Sequence, residues 1–104
     1  MEQLGFSFDG LASSDRGIYA IAGVVASGDL EILIERKALD GRCEVAINTS
    51  IHGFETTWRA VMQRFVTNRP LADTRVTVND SGATPAIVSL RLAQAAQSLD
   101  EESR

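Results

Sequence analysis

Apolar residues recur along this chain with two different periods, and the change of period divides it into strands and helices. The segment Ile18-Tyr19-Ala20-Ile21-Ala22-Gly23-Val24-Val25 is β-rich and apolar on both faces, as a strand covered on two sides would be. Leu30-Glu31-Ile32-Leu33-Ile34-Glu35 then puts Leu30, Ile32 and Ile34 on one face and Glu31 and Glu35 on the other. That period-2 alternation predicts a half-buried strand. Cys43-Glu44-Val45-Ala46-Ile47-Asn48 repeats it after an Asp40-Gly41 turn signal, so the three read as a meander.

The period changes at Phe54. Phe54, Trp58, Val61, Met62 and Phe65 fall at helical spacing and predict an amphipathic helix over roughly residues 54–68, stopped by Pro70. Arg75-Val76-Thr77-Val78 is a short strand, and Asn79-Asp80-Ser81-Gly82-Ala83 is a turn. Thr84-Pro85 supplies a capping hydroxyl and a proline at the first position of a last helix, which runs to about Leu99. In that helix Val88, Leu92, Ala95, Ala96 and Leu99 share one stripe, while Ile87 and Leu90 lie nearly opposite; singly exposed apolar residues are normal, but the pair favours a subunit contact. Residues 1–15 are a weak segment: Phe6 and Phe8 alternate in the manner of an edge strand, but Gly10 and Ser13-Ser14-Asp15 end the pattern. Residues 100–104 read as a solvated tail.

The expected fold is therefore α+β, a single domain over residues 1–104 built as a two-layer sandwich. Its mixed four-stranded sheet, in the order β-β-β-α-β-α, carries both helices on one face, where two amphipathic stripes can be buried together. The strand after the first helix follows a crossover, so it is expected parallel to one neighbour.

Composition narrows the function classes. The chain has 104 residues, 44% hydrophobic, enough for one core but with little surplus for a cleft between lobes. A net charge of -4, with no Lys/Arg-rich run, argues against a nucleic-acid partner. Cys43 has no second cysteine to pair with, the first residues lack the layout of a signal peptide, and no apolar run reaches the length of a bilayer span. These features predict a cytoplasmic protein with no membrane insertion.

The segment with chemical content is Ala22-Gly23-Val24-Val25-Ala26-Ser27-Gly28-Asp29-Leu30-Glu31-Ile32. Its two strands are joined by a very short loop, and Gly28 and Asp29 are residues that tolerate tight turns. The Ser27 hydroxyl is thereby expected at or beside a rigid hairpin tip, open to a modifying enzyme. Ser-Gly-Asp is also ordinary turn chemistry.

In its context, however, this segment resembles the prosthetic-group segment of two related families, the acyl carrier (delta or C) subunit of malonate decarboxylase and the acyl carrier (gamma) subunit of citrate lyase. The similarity continues in Gly53-Phe54, in Trp58-Arg59-Ala60-Val61, in Asn79-Asp80-x-Gly82-Ala83-Thr84-Pro85 and in Leu90-Arg91-Leu92, covering about residues 17–97. Trp58 and Thr84-Pro85 look more like the malonate decarboxylase branch. The resemblance implies that Ser27 is joined by a phosphodiester to 2'-(5''-phosphoribosyl)-3'-dephospho-CoA, whose thiol carries acetyl and malonyl as thioesters. It implies as partners the acyl-transferase and decarboxylase subunits of a complex, together with the transferase that attaches the group and reads Gly28 and Asp29. The chain itself would then be a non-catalytic carrier. A citrate lyase carrier and an unmodified structural subunit are the alternatives.

No catalytic constellation competes with this reading. His52 is a lone histidine between a strand and a helix, and Ser27 lacks the Gly-x-Ser-x-Gly elbow of a hydrolase. Cys43 alternates with Val45 and Ile47 on the presumed core face, so it reads as a small buried hydrophobe. The four-helix acyl carriers hold their serine in Asp-Ser-Leu at a helix start, a pattern this chain lacks.

Overall fold

A computed structural model describes residues 2–9, 21–26, 29–36, 39–67, 69 and 71–102; for residues 21–26 and 98–102 the backbone is described and the side chains are not. The elements run β1 (Glu2–Asp9), β2 (Ile21–Ala26), β3 (Leu30–Arg36), β4 (Arg42–Thr49), α1 (Glu55–Thr67), β5 (Thr74–Asp80) and α2 (Pro85–Glu102). The strands form one sheet in the order β1-β4-β5-β3-β2.

Alternation builds the sheet as the sequence predicts. Leu30, Ile32 and Ile34 of β3, Cys43, Val45 and Ile47 of β4, and Val76 and Val78 of β5 all turn to one face and are buried. Both helices contribute to the same core. Trp58, Met62, Phe65 and Val66 come from α1, and Val88, Leu92, Ala95 and Ala96 from α2. The opposite face of the sheet is polar at its edges, with Glu31, Asn79 and Asn48 joined across three strands by hydrogen bonds of 3.2 and 3.0 Å. Between them and the row Glu35-Arg75-Glu44 runs a strip of Leu33, Thr77, Ala46 and Gly5 in register.

The α+β class, the mixed sheet and the two helices stand. Two features of the expected sheet change. It has five strands, because Glu2–Asp9 pairs antiparallel with the whole of β4, from Glu2↔Thr49 to Asp9↔Arg42. Phe6 is buried there against the core, with Leu4 and Phe8 partly so, and the Arg59 guanidinium lies 4.7 Å from the Phe6 ring centre. The apolar face gained in this way, together with eight paired backbone positions, is what two phenylalanines in a short weak segment could not announce.

The meander is also replaced. β2 and β3 do pair antiparallel, but β3 and β4 are separated by β5, which pairs antiparallel with β3 and parallel with β4. The crossover through α1 thus inserts the last strand at the centre, as its burial demands: Thr74, Val76 and Val78 have no exposed surface. The connection from β3 to β4 must then wrap past the start of β5. The Asp73 carboxylate holds it, accepting hydrogen bonds of 2.9 Å from the backbone N–H groups of both Leu39 and Gly41. Asp40, Gly41 and Asp73 all take positive φ at this clasp.

Element ends differ slightly from expectation. Phe54 precedes α1 rather than joining its buried stripe; its carbonyl accepts the first helical hydrogen bond, from the Trp58 N–H at 2.9 Å, and its ring is half exposed. The helix α2 continues to Glu102, through residues read as tail. The predicted cap is present, with the Ile87 N–H 3.3 Å from Thr84 Oγ1 and Pro85 opening the helix.

Candidate functional site

Ser27 and Gly28, the two residues of greatest interest, lie outside the described residues, between Ala26 and Asp29. Their surroundings are described. Ala26 is opposite Glu31 in the β2–β3 pairing, so the connection is short, as the sequence predicts. Asp29 is exposed, and its carbonyl accepts a 2.8 Å hydrogen bond from the Ser81 N–H. The hairpin end is therefore fastened to the turn between β5 and α2.

That turn is organised by Asp80, a buried carboxylate at the end of β5. It accepts hydrogen bonds from Thr49 Oγ1 at 2.9 Å, from the Gly82 N–H at 3.2 Å and from the Ala83 N–H at 2.8 Å. Its own carbonyl receives the Ser50 N–H at 3.0 Å. Thr49 in turn accepts from the Ile51 N–H, so one carboxylate orders the exits of both parallel strands. Gly82 sits at φ +112°, a conformation that L side chains rarely adopt. The pattern of an Asp followed two residues later by Gly at a strand end was the available signal for this arrangement; the role of Thr49 had none.

Beside the turn is an open groove of about 380 Å³, bounded by the starts of α1 and α2. Trp58, Val61, Ala83 and Val88 line it, Asp80 is the one charged lining residue among those described, and Ile51 and Phe54 stand at its edge with 42% and 50% of their surface exposed. The sequence placed Phe54 on a buried helical face; the structure moves it to this groove.

The remaining candidates fall into place as follows. Cys43 is fully buried, and burial, assisted by the neighbouring Glu44 carboxylate, pushes its thiol up to about 12. At neutral pH it carries essentially no thiolate and has no access to an acyl donor. His52 is exposed in the connection between β4 and α1. Among the described residues no three His, Cys, Asp or Glu side chains gather as a metal site, and no helix is long and apolar enough to cross a membrane. Ile87 and Leu90 are exposed on α2, away from its buried stripe.

Comparison with known proteins identifies this architecture. Residues 19–99, from the first residues before β2 to within α2, match the family model described as the malonate decarboxylase delta subunit. The chain belongs to that family. It is 49% identical over 100 residues to the malonate decarboxylase acyl carrier protein of Xanthomonas euvesicatoria, covering 95% of each chain. The protein of the same description from Burkholderia cepacia is 48% identical, over 92% of this chain and 88% of that one. Among solved structures, a chain of a Pseudomonas malonate decarboxylase hetero-tetramer in complex with malonate superposes with a TM-score of 0.72 at 33% identity, covering 93% and 97% of the two chains. The family's delta-subunit segment thus spans the β2–β3 hairpin, the Asp80 turn, α1 and most of α2.

Proposed function

We propose that this chain is the acyl carrier subunit of a malonate decarboxylase, holding 2'-(5''-phosphoribosyl)-3'-dephospho-CoA through a phosphodiester at Ser27. The observation that carries the reading is the family match over residues 19–99, which includes Ser27-Gly28-Asp29. The state of Cys43 supports it: the chain's own thiol is buried and protonated, so acyl transfer needs a thiol from elsewhere. When attached, the group supplies that thiol, and a thioester carbonyl able to take up the electron pair left by departing carbon dioxide.

The chain's residues contribute position rather than bond-making. The hydrogen bond from Ser81 to Asp29, backed by the Asp80 cage, fastens the turn end of the hairpin, so that a group anchored at Ser27 would swing from a firm mount. Asp29 is exposed beside the anchor, where it is available to the transferase that loads Ser27. Tethering converts transfers among acyl-transferase and decarboxylase subunits into local events at high effective concentration. The exposed Ile87 and Leu90 are the surface through which the carrier contacts a partner subunit. A carrier of this kind is not itself an enzyme, and its parent complex is cytoplasmic.

Peptide mapping of the complex from its natural host tests the reading. The Ser27 peptide is expected to carry a nucleotide-containing adduct, and Ser27→Ala to abolish both the adduct and acyl turnover while leaving the fold intact. An unmodified Ser27 peptide in an active complex would sink the proposal.

A further inference from the structure

The groove beside the Asp80 turn has an exposed phenylalanine and an exposed isoleucine at its edge and a tryptophan in its wall. Apolar surface left in water costs about 25 cal/mol per Å², and contiguous apolar patches of this kind mark binding sites. Its location decides what it binds. The wall residues Asp80 and Gly82 flank Ser81, whose N–H holds the carbonyl of Asp29, two residues from Ser27. Two residues of chain span at most about 7 Å, so an arm attached at Ser27 is anchored within reach of the groove.

Resting on the reading that Ser27 bears the arm, we propose that this groove receives the acetyl-thioester end of the chain's own prosthetic group and rejects the malonyl form. Charge selects the occupant. Among the described residues no Lys or Arg lines the groove, and none of them compensates a phosphate or a free carboxylate there. The Asp80 carboxylate, the one charged lining group among the described residues, already accepts from Thr49, Gly82 and Ala83. A malonyl carboxylate would enter an apolar slot facing a like charge, whereas an acetyl thioester and the methylenes before it bring none. The wall is rigid, held by the caged carboxylate, the positive φ of Gly82 and the Thr84 cap. The arm is long enough to fold its thioester end back to a groove near its own anchor, and tethering raises the local concentration, so weak intrinsic affinity suffices. The consequence is directional traffic: the acetyl carrier rests against its own protein, and loading with malonyl releases the arm toward a partner.

The test compares the full chain with an unloaded Ser27 to chains bearing the arm as acetyl and as malonyl thioester, each verified by intact mass. Trp58 is the sole tryptophan, so its fluorescence and indole N–H resonance report the groove directly. The acetyl form is expected to shift these signals and the amides of Ile51, Phe54, Ala83 and Val88, and the malonyl form to leave them near the unloaded positions. Hydroxylamine should cleave the tethered acetyl thioester about five-fold more slowly than free S-acetyl pantetheine, as expected for a tethered ligand bound most of the time. Phe54→Asp, at a half-exposed position, should abolish both effects with the circular dichroism spectrum unchanged; Ile51→Asp is the second variant. Groove signals unmoved in a verified acetyl chain, moved equally by malonyl, or moved only when a partner subunit is added overturn this inference alone. A chain from the natural host with no adduct overturns the carrier reading itself, and its mass distinguishes the two failures.

Discussion

Two aspartates at strand ends do different work in this protein, and both act through backbone N–H groups. Asp73 joins the β3–β4 connection to the start of β5, and its hydrogen bonds from Gly41 and Leu39 hold its carboxyl below the usual carboxylate range. A carboxyl whose folded pKa is lowered binds its proton less readily in the native state. Its stabilisation is therefore full above the unfolded value of about 3.9 and is lost as pH falls through the lower folded value. Asp73→Asn should accordingly lower the urea midpoint at pH 7, with the gap to the parent chain closing as the pH is taken below that of the native carboxyl. Asp80 is buried and takes three donors at once. Asp80→Ala leaves those donors without their acceptor and should cost about 3 kcal/mol, read by chemical denaturation. The same substitution should disorder the groove wall, visible as broadened amide resonances at Gly82 and Ala83.

At the scale of elements, each helix presents more than one face. α1 buries Trp58, Met62, Phe65 and Val66, yet Trp58 and Val61 also line the groove, so one helix serves core and site together. α2 buries Val88, Leu92, Ala95 and Ala96, while Ile87 and Leu90 stay in water. Single exposed apolar residues are ordinary, but two on adjacent turns of one outer face form a surface a partner can cover. Ile87→Asp with Leu90→Asp should leave thermal unfolding nearly unchanged and weaken assembly with the other subunits, measured by size-exclusion chromatography of the reconstituted complex. Unaltered assembly would remove α2 from the interface.

For the molecule as a whole, the sheet's edge is a matter of stability. β1 covers the outer edge of β4 and adds Phe6 to the core, with Arg42 reaching across to Ser7 and Asp9. Deletion through Asp9 exposes a long strand edge, a ready template for pairing with another chain. The truncated chain should unfold several degrees lower in a thermal scan and elute as larger species; a monomer of unchanged stability would show β1 to be dispensable.

How much of this was readable in advance follows from the range of the interactions involved. Alternation in Leu30–Glu35 and Cys43–Asn48, helical spacing from Trp58 to Phe65, and the Thr84-Pro85 helix start are local patterns, and each fixed an element, its type and its buried face. The Ser-Gly-Asp hairpin and the motifs around it were enough to point to the family. Neighbour relations were not local. That β5 lies between β3 and β4 depends on where its valines find two flanking strands, and that Glu2–Asp9 joins the sheet depends on a free edge of β4 forty residues away. The groove is of the same kind: Phe54 and Trp58 share a helical spacing, and it takes the Asp80 turn packed beside them to make the first an exposed edge and the second a wall. Periodicity reports which side of an element avoids water; which other element covers that side is decided by packing among parts distant along the chain.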